Sequence, residues 1–180
     1  MIKTLVLYCT QTGNTEKIAK AIFQAIPFNK ETKQLSDIFN LDDFDLIFIG
    51  FPIYSFGPIR QAKEIISKHL IGKNIAIFMT MSLTAAPTSE QMEELYNLTI
   101  KNCTTCAEGS NLLGIFDCPG ELSEETAKVL LNSEDPMLRM FGSLRDLSIG
   151  FPNEKNTTEA EIFANEIFKK YHEINTVRRM

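Results

Sequence analysis

The chain has 180 residues, 44% of them hydrophobic, which suits a single domain around one sizeable core. A formal net charge of −5 argues against nucleic acid and anionic membrane surfaces as partners, and fits a protein that docks on basic ones. No apolar stretch approaches the ~20 residues needed to span a bilayer. Met1-Ile2-Lys3-Thr4-Leu5 reads straight into a first strand rather than a signal peptide, so the expectation is a cytoplasmic protein, a monomer or weak homodimer.

Ile2 to Tyr8 is a largely apolar run that reads as a strand buried on both faces, as in a parallel sheet. It is followed by Thr10-Gln11-Thr12-Gly13-Asn14-Thr15 and then by Glu16 to Ile26, where Ile18, Ala19, Ile22, Phe23 and Ile26 recur at helical spacing until Pro27 stops the helix. A strand that turns into a helix through hydroxyls, an amide and a glycine is suited to hold a phosphate. The helix N-terminus offers unpaired N–H groups and a partial positive charge. Thr10, Thr12, Thr15 and Asn14 add side-chain donors, and Gly13 allows a positive φ or a close backbone approach. No lysine or arginine lies in this loop, so the phosphate would be held by neutral dipoles.

Glu31 to Leu35 is a polar strand, expected at a sheet edge with one flank wet. Leu46 to Gly50 is a strongly apolar strand, and Phe51 to Gly57 a loop rich in aromatics. Pro58 is placed in the first turn of the next helix, which has Ala62, Ile65, Ile66, His69 and Leu70 on its inner face and Gly72 as its cap. Asn74 to Met79 is the next strand, and Thr80 to Pro87 a loop of small and polar residues. Thr88-Ser89-Glu90-Gln91 resembles a helix start with a capping box, leading to an apolar stripe of Met92, Leu95, Tyr96 and Ile100. Asn111 to Phe116 is the last strand. Ala160, Phe163, Ala164, Ile167 and Tyr171 mark a terminal helix, and Ile174 to Met180 a frayed tail.

Strands alternating with helices define an α/β fold: three layers, α-β-α, around a doubly wound parallel sheet of five strands in the order 2-1-3-4-5. The ligand site of such a sheet lies where the strand order reverses, so Thr10–Thr15, Phe51–Gly57 and Thr80–Pro87 should converge. One stretch falls outside this plan. Asp117 to Ile149 is read as an extra helical segment of the same domain, with helices at Leu122–Asn132 and Met137–Leu144. Its Leu130, Leu131, Met137, Leu138, Met140 and Phe141 point to core extension ahead of a cap over the site or a partner surface.

Cys9, Cys103, Cys106 and Cys118 are expected to be free thiols. The Cys103-Thr104-Thr105-Cys106 pair lacks a second ligand pair for zinc, and it follows a helix where a redox dithiol would precede one, so it reads as packing. His69 and His172 form no catalytic set with a serine or cysteine, Glu121, Glu124 and Glu125 read as a solvated helix start, and no metal constellation is apparent.

These residues resemble the flavodoxin family. Thr10-Gln11-Thr12-Gly13-Asn14-Thr15 after the first strand and Asp43-Phe44-Asp45-Leu46-Ile47-Phe48-Ile49-Gly50 before an aromatic loop carry the resemblance, which covers most of the chain to about Phe116 and the terminal helix. The Gly150-Phe151-Pro152-Asn153 turn is similar to that of a flavodoxin-like subgroup in anaerobic bacteria. The resemblance implies flavin mononucleotide (FMN). Thr10, Gln11, Thr12, Asn14 and Thr15, with the Gly13 turn, would wrap its phosphate. Tyr54 would stack on the isoalloxazine ring, with Phe56 as the alternative, while Pro52, Ile53, Ser55 and Gly57 supply backbone contacts. Thr80, Met81, Ser82 and Leu83 would cover the other face, without the Tyr or Trp often found there.

Two departures bear on activity. Ser55 stands where many electron carriers have a glycine, whose backbone flip hydrogen-bonds the one-electron-reduced flavin, and the acidic residues that usually surround the ring are missing from both loops. The expected function is an FMN-binding electron carrier serving redox partner proteins. An FMN-dependent reductase of a small conjugated substrate is the alternative, favoured by the extra segment and the third loop. A third possibility is a binding module that keeps the fold without flavin.

Overall fold

The first apolar run becomes β1 (Thr4–Tyr8), whose five residues are all buried. The chain turns into α1 (Asn14–Ala25), returns through β2 (Lys30–Gln34) and crosses to β3 (Leu46–Tyr54). A two-residue strand, β4 (Gly57–Pro58), folds back antiparallel on the end of β3. Then come α2 (Arg60–His69), β5 (Asn74–Met81), α3 (Glu90–Cys106) and β6 (Asn111–Pro119). Helices α4 (Glu124–Leu131), α5 (Pro136–Ser143) and α6 (Arg145–Ser148) precede the long α7 (Glu154–Val177). The structure is a computed structural model that describes residues 2–27, 29–37 and 40–177.

The main strands lie in the order β2-β1-β3-β5-β6, and every pairing along that path is parallel. Leaving the short β4 out of the count, this is the 2-1-3-4-5 order expected from the alternation. The two-residue period of the strands divides the core into two layers. Leu5, Leu7, Ile47, Ile49, Ile75 and Ile77 pack toward Ala62, Ile66 and Cys103 of α2 and α3. Val6, Leu46, Phe48, Ala76 and Phe78 pack toward Ile18 and Ile22 of α1 and Ala160, Phe163 and Ile167 of α7. Gly50 is required by this packing: a Cβ there would lie 2.0 Å from Cε2 of Phe78, its register partner on β5.

The polar β2 is an edge strand, as its composition predicts, and it pairs with β1 alone among the described residues. Glu31 carries ion pairs to Lys3 at 3.0 Å and Lys33 at 3.4 Å. Lys30 Nζ donates to the carbonyls of Phe23 and Ile26, both at 2.6 Å, and so closes the C-terminal end of α1.

Several boundaries differ from the sequence expectation. Helix α1 starts at Asn14 rather than Glu16, so the end of the proposed phosphate loop is already helical. Strand β3 continues past Gly50 to Tyr54 and closes a hairpin, so Phe51–Gly57 is not an open loop. Pro58 sits opposite Ile53 in β4, where a missing N–H costs no sheet bond, and α2 begins only at Arg60. Strand β5 runs to Met81 and is followed by a single 3-10 turn, Ser82–Ala85. The cap of α3 is Ser89, which accepts from Met92 N at 3.2 Å; no acid stands at that third position, so only half of a capping box forms. Cys103 and Cys106 belong to the last turn of α3 rather than following it. Residues 174–177 are helical, and the rest of the tail expected to fray, 178–180, lies outside the described residues.

Candidate functional site

Three segments leave the carboxyl ends of β1, β3 and β5, the point at which the strand order reverses. In the first, Gly13 N donates to Thr10 Oγ1 at 2.9 Å, and Gly13 takes φ 90°, a left-handed conformation natural to glycine. Gly13 is the N-cap of α1, and no side chain caps the helix. The first intrahelical bond runs from Lys17 N to Gly13 O at 3.0 Å. The N–H groups of Asn14, Thr15 and Glu16 therefore have no acceptor within the helix and lie at its positive end. Gln11 and Thr12 are exposed. Thr15 is buried, its hydroxyl 3.0 Å from that of Thr80, which ties the exit of β1 to that of β5. Unspent donors, and no carboxylate from Thr10 through Thr15, fit a phosphate.

In the second segment Ser55 and Phe56 have φ 48° and 60°. A two-residue hairpin turn with both central residues left-handed has type I′ character, and a phenylalanine there is strained. Two contacts hold it. Asn102 Nδ2 donates to Phe56 O at 2.8 Å, and the Phe56 ring rests on that of Phe141, centroids 5.5 Å apart and planes at 60°. Phe56 is thereby half-buried, whereas Tyr54 at the end of β3 is 70% exposed. Pro52 and Ile53 are half-buried and Gly57 is buried.

The third segment turns inward. Thr80, Met81 and Leu83 are buried, the last two within the layer that faces α2 and α3, while Ser82 and Thr84 are half-buried.

The extra segment comes to the same end of the sheet. Gly120 N donates to Met81 O at 3.2 Å, and a Cβ on Gly120 would lie 3.1 Å from both Asn14 Nδ2 and Thr80 Cβ. Asn14 Nδ2 donates to Glu121 O at 2.9 Å. A cavity of about 260 Å³ opens here, lined by Thr12, Asn14, Glu121, Ser123, Glu124 and Arg145. Arg145 Nη1 contacts Glu121 Oε1 at 3.3 Å and donates to the Leu122 carbonyl. Glu121 Oε2 accepts from Gly150 N at 3.0 Å, and Glu124 pairs with Lys128 at 2.6 Å. A surround of neutral dipoles describes the loop but not the cavity, because the fold brings a guanidinium to it. Nothing in the residue spacing links Arg145 to Thr12.

Helices α4 and α5 pack tightly: a Cβ on Gly142 would lie 2.8 Å from Leu131 Cγ and 3.1 Å from Ala127 O. Ala127 and Leu144 are buried, and Leu130, Met140 and Phe141 are half-buried. Leu131, Met137 and Leu138 are 47%, 41% and 40% exposed, so core extension describes only part of the segment. The rest lies against the Ser55–Phe56 turn through Phe141 and against the 3-10 turn through α6.

Beside this end, Tyr96 Oη donates to Asp117 Oδ1 at 2.8 Å. The sequence offered only one signal for this pair, an acid at the end of an apolar strand. Burial pushes the Tyr96 hydroxyl up to about 12, with the Asp117 hydrogen bond and charge adding to the rise. Burial also raises the Asp117 carboxyl, and the Tyr96 bond offsets this only in part. Burial pushes the thiols of Cys9, Cys103 and Cys118 up to about 12 and raises that of Cys106, so all four stay protonated near neutral pH. Among the described residues no group of three or more His, Cys, Asp or Glu could hold a metal ion, and no helix is long and apolar enough to cross a membrane.

The flavodoxin domain family matches residues 5–165, and the chain belongs to that family. It is similar to the flavodoxin-like domain-containing protein BilS of Clostridioides difficile, 26% identical over 178 residues that cover 94% of this chain and 98% of that protein. A flavodoxin of Picosynechococcus is 35% identical over 88 residues, covering 43% of this chain and 51% of that protein. Among solved structures, a short-chain flavodoxin associated with a non-canonical PDU bacterial microcompartment superposes with a TM-score of 0.58 at 13% identity, over 95% of this chain and 99% of that one. A flavoprotein from Lactobacillus acidophilus, determined in complex with FMN, gives a TM-score of 0.51 at 22% identity, over 65% of this chain and 93% of that one.

Proposed function

We propose that this flavodoxin-family chain binds FMN and carries electrons between redox partner proteins in the cytoplasm, as a monomer or weak homodimer. The observation that carries the reading is the uncapped N-terminus of α1, where Asn14, Thr15 and Glu16 keep unspent N–H groups beside the exposed Thr12. Thr10, Gln11, Thr12, Gly13, Asn14 and Thr15 hold the phosphate. Tyr54, the exposed aromatic of the ring loop, stacks on the isoalloxazine, since Phe56 is already packed against Phe141. Pro52, Ile53, Ser55 and Gly57 line the ring edge with backbone. Thr80, Met81, Ser82 and Leu83 bound the other side; with Met81 and Leu83 turned inward, Ser82 and the backbone make the contact. Bound FMN supplies one- and two-electron redox chemistry, while the protein orients the ring and limits its exposure to water.

A reductase acting on a small conjugated substrate is the second reading. It is favoured by α5 and α6, which lie against the ring loop and the 3-10 turn, and by the lack of an aromatic in the third segment. The visible spectrum of the purified protein through a reductive titration tests both. Flavin absorbance with build-up of the one-electron-reduced form supports the carrier. Direct two-electron reduction, with reoxidation by one small acceptor, supports the reductase. A colourless protein that takes up no added FMN overturns both.

A further inference from the structure

We infer that the segment after β6 completes the phosphate pocket and that Arg145 is its cation, a cofactor-binding residue outside the Thr10–Thr15 loop. The inference rests on the FMN reading above. Arg145 shares one cavity with Thr12 and Asn14, the two loop residues that line it. Its position relative to the loop is held by contacts independent of any ligand. Asn14 Nδ2 binds Glu121 O at 2.9 Å, Gly120 lies directly against Asn14 and Thr80, and Lys17 Nζ donates to Pro152 O at 2.5 Å. Ser148 Oγ accepts from Leu122 N at 3.1 Å, anchoring the short helix that carries Arg145.

The charges are arranged to make the guanidinium available. Two carboxylates line the same cavity, but neither stands bare: Glu124 is paired with Lys128, and Glu121 is shared between Arg145 and Gly150 N. Both contacts of Arg145 use Nη1. A guanidinium has five N–H donors in a planar fork, so Nη2 and Nε remain for a phosphate oxygen pair. A phosphate monoester carries close to two negative charges at neutral pH. The end of α1 supplies only about half a positive charge, so a guanidinium in the same cavity supplies the larger share. Glu121 then acts as a positioning residue that competes with the phosphate for Arg145.

The test is titration of the flavin-free chain with FMN and with riboflavin, followed by quenching of flavin fluorescence, for wild type, Arg145→Ala and Glu121→Gln. Arg145→Ala should weaken FMN about tenfold or more, the loss of one charge-assisted hydrogen-bonded pair, and leave riboflavin unchanged. FMN binding should also lose part of its salt dependence. Because Arg145→Ala also removes the contact to Leu122, Glu121→Gln is the control of opposite sign. It releases the guanidinium while keeping the Glu121 backbone bond to Asn14, so it should tighten FMN and not riboflavin. Unchanged FMN affinity in Arg145→Ala, equal loss of both flavins, or weaker FMN binding by Glu121→Gln would each overturn the inference alone. A wild type that binds neither flavin would overturn the FMN reading and the inference with it.

Discussion

Phe56 rests on Phe141, ring centroids 5.5 Å apart, so the strained turn at the end of β3 is braced by a residue of α5 that lies 85 positions later in the chain, counting from 56 to 141. The brace matters because two adjacent non-glycine residues hold positive φ there. Truncating either ring should destabilise the fold by about 1–3 kcal/mol, below a full core Phe→Ala because both rings are half-buried. A double-mutant cycle of Phe56→Ala and Phe141→Ala, read by denaturant unfolding, should show about 0.5–1.5 kcal/mol of coupling. Additivity would mean the rings only touch.

Thr12 and Asn14 should separate ligand binding from stability. The Thr12 side chain is exposed and makes no bond among the described residues, so Thr12→Ala should weaken FMN relative to riboflavin and leave the melting temperature within about 1 °C. Asn14 also holds Glu121 O, so Asn14→Ala should weaken FMN and in addition lower the melting temperature by about 2–4 °C, the equivalent of about 1 kcal/mol. Equal loss of FMN and riboflavin in both variants would remove the phosphate assignment.

Asp117 should make stability fall as pH rises. Burial raises its carboxyl pKa in the folded chain, so the folded state holds the proton more tightly than the unfolded state does. Protons are then released into the folded state's disadvantage as pH climbs from the unfolded value of ~3.9 through the raised folded value. Asp117→Asn keeps an acceptor for Tyr96 and removes the titration. Melting curves should show the variant gaining on wild type across that window and holding a constant lead above it. A lead independent of pH would mean that the Tyr96 bond cancels the effect of burial, and a variant that loses ground as pH rises would mean that the bond outweighs it.

Gly50 should tolerate no side chain. A Cβ at 2.0 Å from Phe78 Cε2 cannot be absorbed without moving a fully buried ring in the layer that packs against α1 and α7. Gly50→Ala should cost about 1–3 kcal/mol by overpacking, visible as a lower denaturant midpoint with an unchanged slope. Pairing it with Phe78→Leu should recover part of the loss, because the smaller side chain vacates the space.

Residue order alone determined the layers and the strand order, and it marked the loop proposed here to hold phosphate, because each rests on local chemistry. Apolar runs define buried strands, helical periodicity defines their cover, and hydroxyls with a glycine at a strand-to-helix turn define an anion cradle. The edge position of β2 followed in the same way from its charge. Boundaries were less legible where two local signals competed. Pro58 suits a helix start and an edge strand equally, and only the pairing of Ile53 with Pro58 chose between them. What the tertiary structure alone decided lies in long-range contacts. It turned Met81 and Leu83 into the core, set Phe141 under Phe56, closed Asn14 onto Glu121, and brought Arg145 into the cavity of Thr12. A charge acts through space over a few ångströms, and its sequence neighbours say nothing about which distant loop will lie within that reach.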